Sequence, residues 1–168
     1  HVYLKYKRRS RIKKTRLAKL YKRNTDEPEL NRPYVYFPLH YQPECQTAPL
    51  AGRFDNQFLI IETLLQCLPD GWVIYVKENP AQLLDRLYGD ASRSEEFYRR
   101  LIDLDRVTLV SADASTFDLI DHSECVVTAT GTVGIEAVLR NKTALFFGYA
   151  WYQGCEGTYR IRSVHECR

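Results

Sequence analysis

At 168 residues the chain has room for one domain with a substantial core, and 45% hydrophobic against 27% charged residues is the balance of a globular protein, not a disordered or fibrous one. No apolar run reaches the length of a transmembrane helix, and the first residues do not read as a signal peptide. The net charge of +3 hides an asymmetry: residues 1–23 carry 11 Lys/Arg and no acid, whereas the other 145 carry a net −8.

The basic start, "HVYLKYKRRSRIKKTRLAKLYKR", has an interrupted helical pattern in which Ile12, Leu17, Leu20 and Tyr21 form a narrow stripe. Two readings stand: a solvated helix that links this domain to another, or an attachment to an anionic membrane surface. Basic charge also permits nucleic-acid binding, but no reader motif follows, and no nucleic-acid partner is expected. The chain opens on His1 without a methionine, so we expect a piece of a longer protein, divided into a basic segment over 1–32 and a folded domain over 33–168.

After the "NTDEPELNRP" break, strand and helix signals alternate. Strands are predicted at "YVYFPL" (34–39), "WVIYVKE" (72–78), "VTLVS" (107–111), "CVVTAT" and "TALFFG". Helices are predicted at "NQFLIIETLLQCL" (56–68), "AQLLDRLYG", "SEEFYRRLIDL", "DASTFDLIDHS" with Asp113 or Ser115 as N-cap, and "VGIEAVLRN". This alternation predicts an α/β fold, a Rossmann-like parallel sheet with helices on both faces. The stretch 149–168 has weak periodicity and reads as a loop or a helix leading to another domain. Five cysteines without a CxxC pair argue against zinc and fit a reducing cytoplasm; Cys67 and Cys125 read as small core residues.

Ligands of open α/β sheets bind beyond the carboxyl ends of the strands, so the residues following each strand are the candidates. Thr130-Gly131-Thr132 lies between a strand and a helix, where a glycine permits close backbone approach and unpaired N–H groups suit a phosphate. Glu136, one turn further on, can accept from ribose hydroxyls. The plainer reading makes Thr132 an N-cap and Glu136 a surface acid. In "KENP" (77–80), Lys77 or the Asn79 amide can contact phosphate, or the segment is an ordinary turn with Pro80 opening a helix. His40, Gln42 and Glu44 of "PLHYQPE", and Asp113, are candidates for lining the cleft; His40 and Lys77 are the candidates for a catalytic role. No Ser-His-Asp order, metal triad or HExxH occurs.

Three stretches together, "PYVYFPLHYQPE", "GWVIYVKENP" and "TATGTVGIEAVLRNKTALFFGYAWY", resemble the capsular polysaccharide biosynthesis family, which is similar to bacterial Kdo transferases of the GT-B class. The resemblance covers residues 33–152. It implies a bacterial, cytoplasmic glycosyltransferase, which the basic residues 1–23 would hold on the inner face of the cytoplasmic membrane. The chain would be its C-terminal, nucleotide-sugar-binding half, with the N-terminal GT-B domain as its missing partner. It implies a CMP-activated acidic sugar as donor, a glycan or glycolipid acceptor, and no further cofactor or metal. Thr130, Gly131 and Thr132 would then meet the phosphate and Glu136 the ribose. "KENP" would correspond to a Lys-Glu-His-Pro motif whose histidine contacts donor phosphate; here that position is Asn79, which can donate a hydrogen bond but carries no charge. Two other functions remain open on the same fold: an epimerase acting on UDP-sugars, or a non-catalytic scaffold of capsule assembly.

Overall fold

The computed structural model describes residues 2–45, 47–84 and 88–167. Helix α1 (Val2–Arg23) leads into strand β1 (Tyr34–Pro38), a 3-10 turn (Gly52–Asp55), α2 (Phe58–Leu65) and β2 (Val73–Lys77). Two 3-10 turns (Pro80–Leu83 and Gly89–Ala91) precede α3 (Glu95–Ile102), β3 (Val107–Val110), α4 (Thr116–Asp121) and β4 (Cys125–Thr128). The chain closes with α5 (Val133–Val138), β5 (Thr143–Phe146), β6 (Thr158–Arg160) and α6 (Val164–Cys167). The helix predicted across "AQLLDRLYG" is replaced by the two 3-10 turns, with residues 85–87 outside the described set.

Six parallel strands form one sheet in the order β3-β2-β1-β4-β5-β6. The chain winds outward from β1 to β3, then returns to the centre and winds the other way from β4 to β6. The pair β1–β4 is therefore the switch point, where two crossovers leave in opposite directions and a crevice opens at the carboxyl ends. The tail at 149–168, expected as a loop or a helix, supplies edge strand β6 as well as the short helix α6. It pairs Ala144, Leu145 and Phe146 of β5 with Thr158, Tyr159 and Arg160.

Strand periodicity divides the core. Val35, Phe37, Ile74, Val76 and Val127 face α1, α2 and α3, packing with Leu17, Tyr21, Ile60, Ile61, Tyr98 and Leu101. Tyr34, Tyr36, Tyr75 and Val126 face α4 and α5, packing with Leu119, Ile120 and Ala137. Burial on both faces explains why these strands read as apolar runs. Tyrosine suits the second layer where an apolar ring is buried and its hydroxyl reaches a partner: Tyr34 donates to the Leu119 carbonyl at 2.8 Å and Tyr75 to the Glu29 carbonyl at 3.2 Å.

Three of the four residues of the stripe predicted on α1 pack inward. Leu17 and Tyr21 are buried in the core and Leu20 is half-buried, but Ile12 is exposed. The C-terminal half of α1 is thus packed into the same core as the strands. Tyr21 donates to the Val110 carbonyl and accepts from the Glu78 N–H at 2.8 Å, which ties α1 to the ends of β2 and β3.

Candidate functional site

A cleft of about 260 Å³ opens at the β1–β4 switch point. Its walls are Leu39, His40, Tyr41 and Glu44 after β1, Asn79 after β2, and Thr128, Gly131, Thr132 and Val133 at the β4–α5 turn. Residues distant in sequence converge here because each follows the carboxyl end of a neighbouring strand.

His40 is the keystone. Its Nε2 lies 2.9 Å from Thr128 Oγ1 and accepts from the backbone N–H groups of Ala129 and Thr130 at 3.2 and 3.4 Å. Thr128 Oγ1 itself accepts from the Gly131 N–H at 2.9 Å, so its own proton is directed to His40. With donors gathered on Nε2, the ring proton belongs on Nδ1, which sits 4.0 Å from Glu44 Oε1. Burial, and secondarily the Arg93 guanidinium, lowers the His40 pKa to about 4. The imidazole is neutral at physiological pH. Its contact also explains Gly131: a Cβ there would come 2.8 Å from His40 Cε1. The glycine admits the imidazole against the loop.

Beneath His40 lies a buried polar lattice. Arg93 donates from Nε to Glu78 Oε2 at 2.8 Å, from one terminal nitrogen to Gln42 Oε1 at 2.8 Å, and from the other to the His40 carbonyl at 3.0 Å. Glu78 also accepts from the Tyr98 hydroxyl at 2.6 Å and the Asn79 N–H at 2.8 Å. Gln57 accepts from the His40 N–H at 2.7 Å and donates to Gln42 at 2.8 Å, while Gln82 accepts from the Gln42 N–H at 2.9 Å. The Glu78 and Arg93 side chains are both at most 1% exposed. Such a pair is tolerated only where nearly every lone pair and N–H is used, as here. The lattice fixes the 38–43 loop on which His40 sits.

The model of the capsule polysaccharide biosynthesis protein family matches residues 2–165. The chain belongs to that family. The match reaches past the 33–152 stretch of resemblance in both directions and takes in α1 and β6. The capsule-family chain is similar in fold to two Thermosulfurimonas dismutans structures. One is KpsC, beta Kdo 2,7 transferase, with TM-score 0.59 and 16% identity over 94% of this chain and 50% of that one. The other is KpsC, beta Kdo 2,4 transferase, with TM-score 0.58 and 17% identity over 95% and 51%. It is also similar to UDP-GlcNAc 2-epimerase from Methanocaldococcus jannaschii, with TM-score 0.57 and 9% identity over 90% and 40%. The chain thus spans about half the length of the transferases it matches. No curated protein sequence matches it.

The fold brings together five of the residues singled out from the capsule-family sequence and separates others. His40, Glu44, Asn79, Gly131 and Thr132 line one cleft. Thr130 is buried behind it, and Glu136 is half-buried one turn along α5, where its Oε1 accepts from Thr132 Oγ1 at 3.2 Å. Thr132 occupies the N-cap position, but its hydroxyl is spent on Glu136 and makes no cap hydrogen bond. Burial, and secondarily the Glu136 carboxylate, raises the pKa of Tyr152, whose hydroxyl donates to the Gly131 carbonyl at 2.5 Å. Asn79 Oδ1 accepts from the Ala81 N–H at 2.9 Å, which fixes the amide at the cleft wall.

Gln42, Lys77 and Asp113 do not line the cleft. Gln42 is buried in the lattice and donates to Asp55 Oδ1 at 2.7 Å. Lys77 shares the strand face of Tyr75, so its ammonium turns toward α4, donating to the Ala114 carbonyl at 2.5 Å and Thr116 Oγ1 at 2.9 Å. Burial lowers the Lys77 pKa, with Asp113 acting in the opposite sense. Asp113 is exposed, and Ser115 caps α4 by accepting from the Asp118 N–H at 3.2 Å. Sequence reasoning gave no role to Arg93, Glu78, Gln57, Gln82 or Tyr152. Only Glu78 carried a signal, as the acid of "KENP"; Arg93 stands in a polar loop among many basic residues.

Proposed function

We propose that this chain is the donor-binding half of a capsule-synthesis glycosyltransferase. Its donor is a nucleotide-activated sugar, with a CMP-linked acidic sugar of the Kdo type favoured, and its acceptor is a growing glycan or glycolipid. The observation that carries this reading is the cleft at the β1–β4 switch point, into which the start of α5 opens beside the Asn79 amide. The N–H groups of Thr132 and Val133 have no acceptor among the described residues. A donor phosphate placed there would gain two backbone hydrogen bonds, with the Asn79 amide as a third donor. Glu136, one turn along α5, would accept from a ribose hydroxyl in exchange for its bond to Thr132.

In the transfer, the bond from the anomeric carbon to the phosphate oxygen breaks and the phosphate keeps the electron pair. The N–H dipoles at the start of α5 favour that growing charge. The acceptor hydroxyl bonds to the anomeric carbon and gives its proton to a general base. His40 is poorly suited to that task, because its Nε2 is occupied and its pKa is near 4. We assign it to holding the loop, and assign the base to the remaining half of the enzyme. The isolated chain would bind nucleotide and transfer nothing, and the full enzyme would work at the inner face of the cytoplasmic membrane.

Calorimetric titration of CMP, UDP, GDP and ADP tests the reading. CMP-selective binding that weakens with Thr132→Val or Glu136→Ala supports it. UDP selectivity moves the chain toward the epimerases of this fold. A second reading, a non-catalytic capsule-assembly module, is favoured by one observation: Asn79 stands where the resembling motif has histidine. It gains if no nucleotide binds either alone or when the remaining half is supplied.

A further inference from the structure

Helix α1 carries a second surface that the cleft does not use. It is 22 residues long, or about 33 Å at 1.5 Å per residue. One side is docked: Leu17 and Tyr21 enter the core, and Lys14 pairs with Asp90 Oδ1 at 3.5 Å, which also accepts from Ser10 at 2.9 Å. At 100° per residue, Lys5, Arg8, Ile12, Arg16, Lys19 and Arg23 fall on the opposite side, at spacings of three and four. All six are exposed, Ile12 at 46%. Leu4, beside this stripe, is 68% exposed.

The chain contains 21 Asp and Glu, yet among the described residues none pairs with any of the five cations of the stripe. Cations at intervals of three and four with no carboxylate between them repel one another, so the surface is complementary to an external polyanion. We propose that the outward face of α1 docks the protein on an anionic lipid surface, with the helix lying in the interface plane. Two features select lipid over nucleic acid. The cations lie on a straight line, which suits a plane better than a groove, and Leu4 and Ile12 have apolar depth to enter in a bilayer but no role against a phosphate backbone. Among the described residues no helix is long and apolar enough to cross a membrane, so the contact is peripheral. Docking by this face leaves the Leu17–Tyr21 side, and with it the cleft, undisturbed.

The test is co-sedimentation of the full chain with phosphatidylcholine vesicles, with and without one-third phosphatidylglycerol, at low and high salt. Two charge-matched triple variants are compared: Arg8→Gln/Arg16→Gln/Lys19→Gln on the stripe, and Arg99→Gln/Arg100→Gln/Arg162→Gln elsewhere on the surface. Each phosphate-facing cation contributes roughly a fivefold factor in partitioning, so the stripe variant is expected to lose about a hundredfold and the control to change little. Ile12→Ser is expected to weaken the binding that survives at high salt. Sedimentation only with anionic vesicles, lost in the stripe variant, supports the proposal. Three results overturn it: no preference for the anionic vesicles, equal loss in both triple variants, or tighter binding to duplex DNA than to vesicles of equal phosphate concentration. Because these positions are exposed and the readout needs no nucleotide, the outcome is separate from that of the donor titration.

Discussion

His40 Nε2 lies 2.9 Å from Thr128 Oγ1, joining the carboxyl end of β1 to that of β4 across 88 residues of sequence. The contact closes the floor of the cleft and organises the N–H groups of the β4–α5 turn. A histidine in this setting is a neutral acceptor, which sets its response to acid.

Stability should fall on acidification through this one residue. The folded pKa is near 4 and the ordinary value is 6.5, so the unfolded chain binds the proton first. The contribution is fully present above pH 6.5, declines as pH drops toward 4, and is absent below that. The loss is of order 3 kcal/mol. Urea unfolding of the protein and of His40→Gln from pH 7.5 to 4 should show a difference between them that shrinks over this window. A constant difference would remove the neutral-acceptor assignment.

The Glu78–Arg93 pair should behave as a unit. Arg93→Met leaves a buried carboxylate with only the Tyr98 hydroxyl and a backbone N–H, and is expected to cost about 3–5 kcal/mol. Glu78→Gln combined with Arg93→Met should cost clearly less than the two single changes summed. A double-mutant cycle by chemical denaturation measures the coupling, and additivity would show that the pair is not energetically linked.

Gly134 packs on Tyr152, and a Cβ at this position would lie 2.3 Å from the phenolic oxygen and 2.7 Å from Cζ. Gly134→Ala should therefore destabilise by roughly 1–3 kcal/mol through overpacking, despite the better helix propensity of alanine. In a Tyr152→Leu background the same change should be neutral or favourable. Thermal melts of the four proteins decide this.

Asn79→His tests the donor site directly. A histidine there can carry positive charge toward a phosphate, so nucleotide affinity is expected to rise severalfold, more at pH 6 than at pH 8. Calorimetry at both pH values measures it. Unchanged affinity at both would place the phosphate away from this wall of the cleft.

Much of the fold is legible in the sequence. Strand runs rich in Val, Ile and aromatic residues, separated by helical spacings, fix an α/β class and five of the six strands because they reflect local burial. Strand β6 was missed: "TYR" is three residues long, and as an edge strand it pairs on one side only, so it carries little apolar signal. The residues after the strands were also legible, since any parallel sheet gathers them at one end.

What the sequence alone determined, then, is which elements form and which residues stand at their ends, because hydrophobic period, caps and turns are properties of neighbours in the chain. Only the tertiary structure decided the strand order that opens the sheet between β1 and β4. It also decided that Gln42 is buried while Asn79 faces the cleft, that Lys77 turns toward α4, and that Arg93 reaches up to the His40 carbonyl. Those outcomes depend on which side of the sheet each helix covers and on hydrogen bonds closed between residues dozens of positions apart. Such pairings leave no period in the sequence, and the interior settles them by requiring a partner for each buried polar group.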